Sequence, residues 1–265
     1  MITDFISPLG KLSRVKNFSL DLLMKGKHLE ELSLSDKEDY DRSVLSVLGD
    51  LVKGVDPYNL SFTEVYHVFL LVKVSTLGPR LKTQIKCPHM IEDKNTGIKR
   101  SCETVNDVEF TLLDSDVKIC PEDYEIPKVN FTFDGVEKEY KVIPPTTRLE
   151  LDLISWFQER GISRTKLVSP DKDSVIDKQN TLDYFKHRML LHLVSEDGND
   201  FSDRKLRERA VKDFSDNPVS LYQELSGKVK EVSSFGVYHN HNTIKCKGCG
   251  GTLTFRLSLS SGLLM

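Results

Sequence analysis

The chain has 265 residues, 38% of them hydrophobic and 29% charged, and its 37 Lys and Arg against 40 Asp and Glu leave a net charge of −3. That length fits one large domain or two small ones. Mixed charge of small net value, spread along the chain, argues against free nucleic acid as a partner, and no window approaches the ~18 apolar residues of a membrane span. Residues 1–10 contain Asp4 and Pro8 and no long apolar run, so no signal peptide is expected. The expected setting is a reducing cytoplasm, where the five cysteines act as thiols or metal ligands rather than disulfides.

In chain order, residues 1–27 are weakly periodic, with Phe18, Leu20, Leu22 and Leu23 suited to a short strand or an arm. Residues 35–51 read as a helix, with Ser35 and Glu38 as a capping box and Val44, Leu45, Leu48 and Leu51 on one side. A second box, Ser61 with Glu64, opens the clearest helix, in which Val65, Val68, Phe69 and Val72 recur at helical spacing until Gly78-Pro79. Leu81, Thr83, Ile85 and Cys87 then alternate as a strand, and residues 105–113 form another. Between them lies a polar stretch with a turn at Asn95-Thr96-Gly97. Residues 129–133 and 139–143 suit a hairpin around Asp134-Gly135. Thr147 with Glu150 marks a third capping box, with Leu149, Leu153, Trp156 and Phe157 on the following helix face and Trp156 as a core anchor. Residues 163–180 read as a polar loop, and 182–195, 203–214 and 221–232 as helices. Strands at 235–246 and 252–259 flank the final turn.

The expected fold class is mixed α+β, with helical layers and small antiparallel sheets joined at a zinc-ribbon-like four-cysteine site. The divisions are an N-terminal arm and helical region at 1–79, a strand-rich region with the first knuckle at 80–143, a helical region at 144–234 and a knuckle hairpin at 235–265, together one composite domain.

The segment Cys246-Lys247-Gly248-Cys249-Gly250 carries the most chemistry. Two thiolates separated by two residues can face one ion while backbone amides turn toward them, and Gly248 and Gly250 allow unusual backbone angles. A redox pair would require a helix starting at the first cysteine, and here glycines and a strand follow. Cys87 ends one strand and Cys102 precedes the next, which gives a second knuckle with an expanded turn. Cys87, Cys102, Cys246 and Cys249 then complete a tetrahedral site for one structural Zn2+ per chain. His89 could replace Cys102, and His239 and His241, two apart on one strand face, could coordinate with Cys246 and Cys249. Cys120 reads as a plain thiol. Four thiolates leave no open position for catalysis.

The common nucleotide-binding and hydrolase motifs are absent from the sequence. Glu30-Glu31 and the acids at 39–41 read as solvated helix surface, and His187 and His192, five apart, as surface or core-edge histidines. No catalytic residue is assigned and no enzyme is expected.

An apolar helix ending in Gly78, then Cys87-Pro88-His89, Cys102, a strand at 105–113 and the acidic close Asp114-Ser115-Asp116-Val117 form a sequence of features. With Ile6-Ser7-Pro8 at the start and the late knuckle running into 255–259, this order resembles the baseplate hub and hub-assembly proteins of T-even-type contractile-tailed phages. The match is closest over 60–117 and elsewhere is one of layout. The resemblance implies a non-enzymatic viral structural or assembly protein, partnered by other baseplate, hub or tail-tube proteins. It implies a place in the host cytoplasm during assembly and in the virion tail baseplate if retained, with residues 259–265 suited either to burial against a neighbour or to a final strand in the protein's own core. It implies no small-molecule substrate and no membrane. The other reading is a zinc-ribbon module associated with nucleic acid or transcription, supported by Lys245 and Lys247 beside the knuckle.

Overall fold

The structure, a computed structural model, describes residues 2–15, 18–35, 40–92, 97–111, 117–168, 174–196, 198, 200–236 and 242–255. It is a mixed α+β fold with several small antiparallel sheets. Among the described residues no helix is long and apolar enough to cross a membrane.

The N-terminal arm folds back on the body. Strand β1 (Ile2–Phe5) pairs with β2 (Phe18–Asp21), and β2 with β3 (Val52–Lys53). Two helices, α1 (Gly26–Leu34) and α2 (Tyr40–Leu51), separate β2 from β3. The helix expected from Ser35 is described only from Tyr40, and Glu38 lies outside the described residues. Helix α3 (Phe62–Leu77) follows. Ser61 and Glu64 cap it reciprocally, with the Ser61 amide donating to Glu64 Oε2 at 2.9 Å and the Glu64 amide to Ser61 Oγ at 3.3 Å. Gly78 closes it at φ +87, an angle that costs glycine nothing. Val65, Val68, Phe69 and Val72 of α3 join Phe18, Leu20, Leu45 and Leu48 in the first core cluster.

The second cluster is built on the expected hairpin, β8 (Lys128–Phe133) and β9 (Val136–Val142). Asp134 and Gly135 both take positive φ, +50 and +75, as a tight two-residue hairpin turn requires. Phe131 lies fully buried between Tyr140, Phe201 and Phe214. Helix α4 (Thr147–Glu159) starts one residue earlier than expected, because Thr146 Oγ1 accepts the Leu149 amide. Thr147 is instead buried on the Leu60 carbonyl, and Glu150 pairs with Arg188 at 3.1 Å.

The expected loop at 163–180 contains α5 (Arg164–Val168) and the start of α6 (Val175–Leu190). Ser174 caps α6 by accepting the Asp177 amide, and Leu167 is fully buried beside Trp156, Phe157 and Tyr184. Local polarity hid a helix that tertiary packing supports. Helix α6 ends at Leu190, and the two residues Leu193–Val194 form β10 on the edge of β9. His187 and His192 are core residues, 5% and 1% exposed, and not surface ones. Among the acids, Glu30 and Glu31 are exposed as expected. Asp41 is instead buried and paired with Arg164. Helices α7 (Arg204–Asp216) and α8 (Val219–Val232) complete the body.

A separate lobe holds the remaining strands. Strand β4 (Arg80–Lys86) pairs with β7 (Val105–Thr111) over seven residue pairs. The polar stretch between them is itself a hairpin, β5 (Met90–Glu92) with β6 (Lys99–Ser101). The last hairpin is β11 (Asn242–Lys245) with β12 (Thr252–Phe255). The strand expected from residue 235 is described only from Asn242, and Phe235 instead packs edge-on against Tyr124 in the second core. Leu70 of α3 meets Val108, Ile85 and Ile244 where the lobe joins the body.

Candidate metal centre

Three segments deliver four sulfurs to one point. Cys87 follows β4, and its amide donates to the Thr104 carbonyl at 2.9 Å. Cys102 follows β6, and its amide donates to the His89 carbonyl at 2.8 Å. The β5–β6 hairpin thus closes the interval between these two cysteines and brings them side by side. Cys246 and Cys249 lie on the turn between β11 and β12, where the Gly250 amide donates to the Cys246 carbonyl and the Cys246 amide to the Gly251 carbonyl, each at 2.9 Å.

The Cys87 and Cys249 sulfurs are 3.7 Å apart, as are those of Cys102 and Cys246, and all four lie within 4.8 Å of one another. No pair is a disulfide. A tetrahedral ion with metal–sulfur bonds of about 2.3 Å sets its sulfurs about 3.8 Å apart. The four cysteines can therefore hold one metal ion with little rearrangement. Cys87 and Cys246 are buried, and Cys102 and Cys249 half-buried.

Each sulfur has a polar neighbour. Asn106, 1% exposed on β7, donates from Nδ2 to Cys246 Sγ at 3.6 Å, while its Oδ1 accepts the Lys247 amide at 2.8 Å. The Gly248 amide also points at Cys246 Sγ, at 3.4 Å. Thr104 Oγ1 lies 3.3 Å from Cys102 Sγ. His89 Nδ1 lies 3.4 Å from Cys87 Sγ and 3.6 Å from Cys249 Sγ. These neighbours bias the thiols unequally. Backbone amides of Cys249 and Gly248 hold Cys246 down at about 6, whereas burial pushes Cys87 up to about 12. The Thr104 hydroxyl lowers Cys102.

Two glycines matter here for different reasons. Gly250 takes φ +70. Gly248 does not adopt a left-handed angle, contrary to expectation; its need is space, since a Cβ there would sit 2.1 Å from Thr104 Oγ1 and 3.2 Å from Cys102 Sγ.

The structure brings together all four expected cysteines. His89 is beside the cluster but on the Cys87–Cys249 side, so it does not stand in for Cys102. His239 and His241 lie outside the described residues. Cys120 is buried elsewhere, its amide donating to the Pro8 carbonyl at 2.8 Å. Asn106 and Thr104 were not picked out from the sequence. The available signal for Asn106 was parity, because it shares the inward side of β7 with Val108.

Compared with known proteins, the chain matches no family model, no curated protein and no solved structure.

Proposed function

We propose that the four cysteines hold one structural zinc ion, and that the protein is a non-enzymatic structural or assembly component of a contractile tail baseplate, in its hub region. The observation that carries the zinc half is the pair of 3.7 Å sulfur separations, which fit a tetrahedral four-thiolate ion. Four thiolates fill the coordination sphere, so the ion's role is to fasten residues 87–102 to residues 246–249. The baseplate half is supported by the resemblance in the order of features over residues 60–117. In this reading the protein works by shape: a metal-fixed lobe and the exposed faces of the body present surfaces to neighbouring hub or tail-tube subunits.

A second reading, a zinc-ribbon module for nucleic acid, has one observation in its favour. Arg80, Lys82, Lys86, Lys99, Arg100, Lys245 and Lys247 are all exposed on the lobe. Against it, four of these already face acids of the lobe: Arg80 and Lys82 face Glu109, Lys86 faces Glu103 and Lys247 faces Asp107.

Metal analysis of purified protein, combined with binding assays against purified hub and tail-tube subunits and against DNA and RNA, tests both. Zinc near one per chain with binding to a tail subunit is the expected result. Folded protein without metal would remove the zinc site. Salt-dependent nucleic-acid binding with no tail-protein binding would replace the baseplate reading with the second one.

A further inference from the structure

We propose that His89 is a reserve metal ligand, able to take the coordination position of Cys249 when that sulfur is lost. The inference rests on the reading that the four cysteines bind a metal, and it concerns what the site does beyond holding one.

The placement of His89 is selective. Its Nδ1 touches the sulfurs of Cys87 and Cys249, at 3.4 and 3.6 Å. The other two sulfurs have different neighbours, Thr104 for Cys102 and Asn106 for Cys246. A nitrogen ligand at about 2.0 Å and a thiolate at about 2.3 Å in one tetrahedral shell stand about 3.5 Å apart. His89 Nδ1 already has that distance to Cys87. With the Cys249 sulfur gone, the ring has to advance only toward Cys102 and Cys246, through the volume that sulfur occupied.

The ring is also aimed. Its backbone is pinned by the Cys102 amide, which donates to the His89 carbonyl at 2.8 Å. The Nδ1–Cε1 side of the ring lies against Gly251, where a Cβ would come within 2.3 Å of Nδ1 and 2.6 Å of Cε1. Gly251 thus keeps open the room in which the imidazole sits. Three cysteines and one histidine form an ordinary zinc ligand set, so the exchanged site would remain closed and tetrahedral.

The vulnerable arm and the reserve coincide. Cys249 is half-exposed and sits on a turn that ends in Gly250 at φ +70, while its neighbour Cys87 is 1% exposed at the end of a paired strand. The site therefore has an asymmetry: Cys249 can be spared, and Cys102 cannot, because the His89 ring reaches the sulfurs of Cys87 and Cys249 and makes no hydrogen bond to that of Cys102.

Cobalt(II) titration of the full chain tests this, since the visible bands of tetrahedral cobalt report the number of sulfur ligands. Wild type and His89→Ala are expected to give the same four-sulfur spectrum. Cys249→Ala is expected to bind cobalt with bands moved to shorter wavelength. Adding His89→Ala to Cys249→Ala should weaken binding by more than about 100-fold, beyond the 10–100-fold that an outer hydrogen-bond partner accounts for. Cys102→Ala should bind poorly whether or not His89 is present. The proposal is overturned if Cys249→Ala loses cobalt as completely as Cys102→Ala, or if its binding and spectrum do not change on removing His89. Failure of the wild type to bind cobalt or zinc would instead overturn the metal site itself. Near-ultraviolet circular dichroism from Trp156 in the body reports that each variant is folded.

Discussion

Around Phe131 the body packs aromatic rings on one another: Tyr140, Phe201 and Phe214 lie 6.2, 5.8 and 5.7 Å away, and Leu190, Leu193 and Leu225 are among the aliphatic side chains of that cluster. Around Cys87, among the described residues, the lobe's packing is much thinner. Its buried members are Cys87, Cys246 and Leu253, with Ile85, Ile244 and the other two cysteines half-buried. Fixing a residue's backbone costs about 1–2 kcal/mol, and the few apolar side chains described there offset only part of that over three hairpins. A metal–thiolate cluster can offset more, because binding an ion to such a site contributes on the order of 10 kcal/mol of folding free energy. With the proposed ion in place, the body is held by burial and the lobe by coordination. The contact of Leu70 with Val108, Ile85 and Ile244 is where the two meet.

Perturbations that strike one region and spare the other sharpen this contrast. The largest effect on the body is expected from Phe131→Ala, which should lower its stability by about 4 kcal/mol through lost burial and a cavity. Denaturant unfolding followed at Trp156 measures it, and metal content should not change. A smaller loss, about 3 kcal/mol, is expected from Glu64→Ala. The Glu64 carboxylate accepts the hydroxyls of the half-buried Ser7 and Ser13, each at 2.5 Å, and the amide of the buried Ser61 at 2.9 Å, and its removal takes the acceptor from all three while Ser13 keeps the Val15 carbonyl. The same unfolding assay reads it, together with proteolysis of the arm at residues 6–14.

Acid separates the regions differently. Burial holds both His187 and His192 down at about 3, against an ordinary 6.5. Between those values the unfolded chain binds protons that the folded one refuses, so the stability these residues contribute is whole above about pH 6.5 and drains as the pH falls toward 3. Each should remove about 2 kcal/mol from the body between pH 7 and pH 5. His187→Phe, which keeps an aromatic ring against Trp156, should abolish its share of that slope. The smallest effect falls on the lobe. Asn106→Ala removes the donor to Cys246 and the acceptor for the Lys247 amide, and should weaken metal binding about tenfold while leaving body unfolding unchanged.

The two regions also differed in how legible they were. The four cysteines were readable because a thiolate pair with glycines has few other uses, and the helix from Ser61 to Gly78 because its cap, periodicity and stop agree. The approach of Cys87 and Cys102 was not, since it depends on the β5–β6 hairpin, whose strands are short and fully polar in part. In the body, α5 and the first turns of α6 were hidden by a polar sequence whose helical state rests on Leu167 and on the Ser174 cap. Spacing along one helix leaves surface and core-edge open for His187 and His192, because it ignores what packs on them, and burial excludes the surface alternative. His187 faces the Trp156 and Phe157 rings, and His192 lies past the helix end with Nδ1 3.0 Å from the Arg188 carbonyl.

The contrast between coordination and burial is tested most directly by hydrogen exchange on the purified protein before and after treatment with a strong zinc chelator. The expected result is release of about one zinc per chain, with loss of protection confined to the amides of β4, β7, β11 and β12 and unchanged protection in α3, α4, α6 and the β8–β9 hairpin. Protection that stays the same in the lobe after the metal is gone, or that collapses equally throughout the chain, would contradict it.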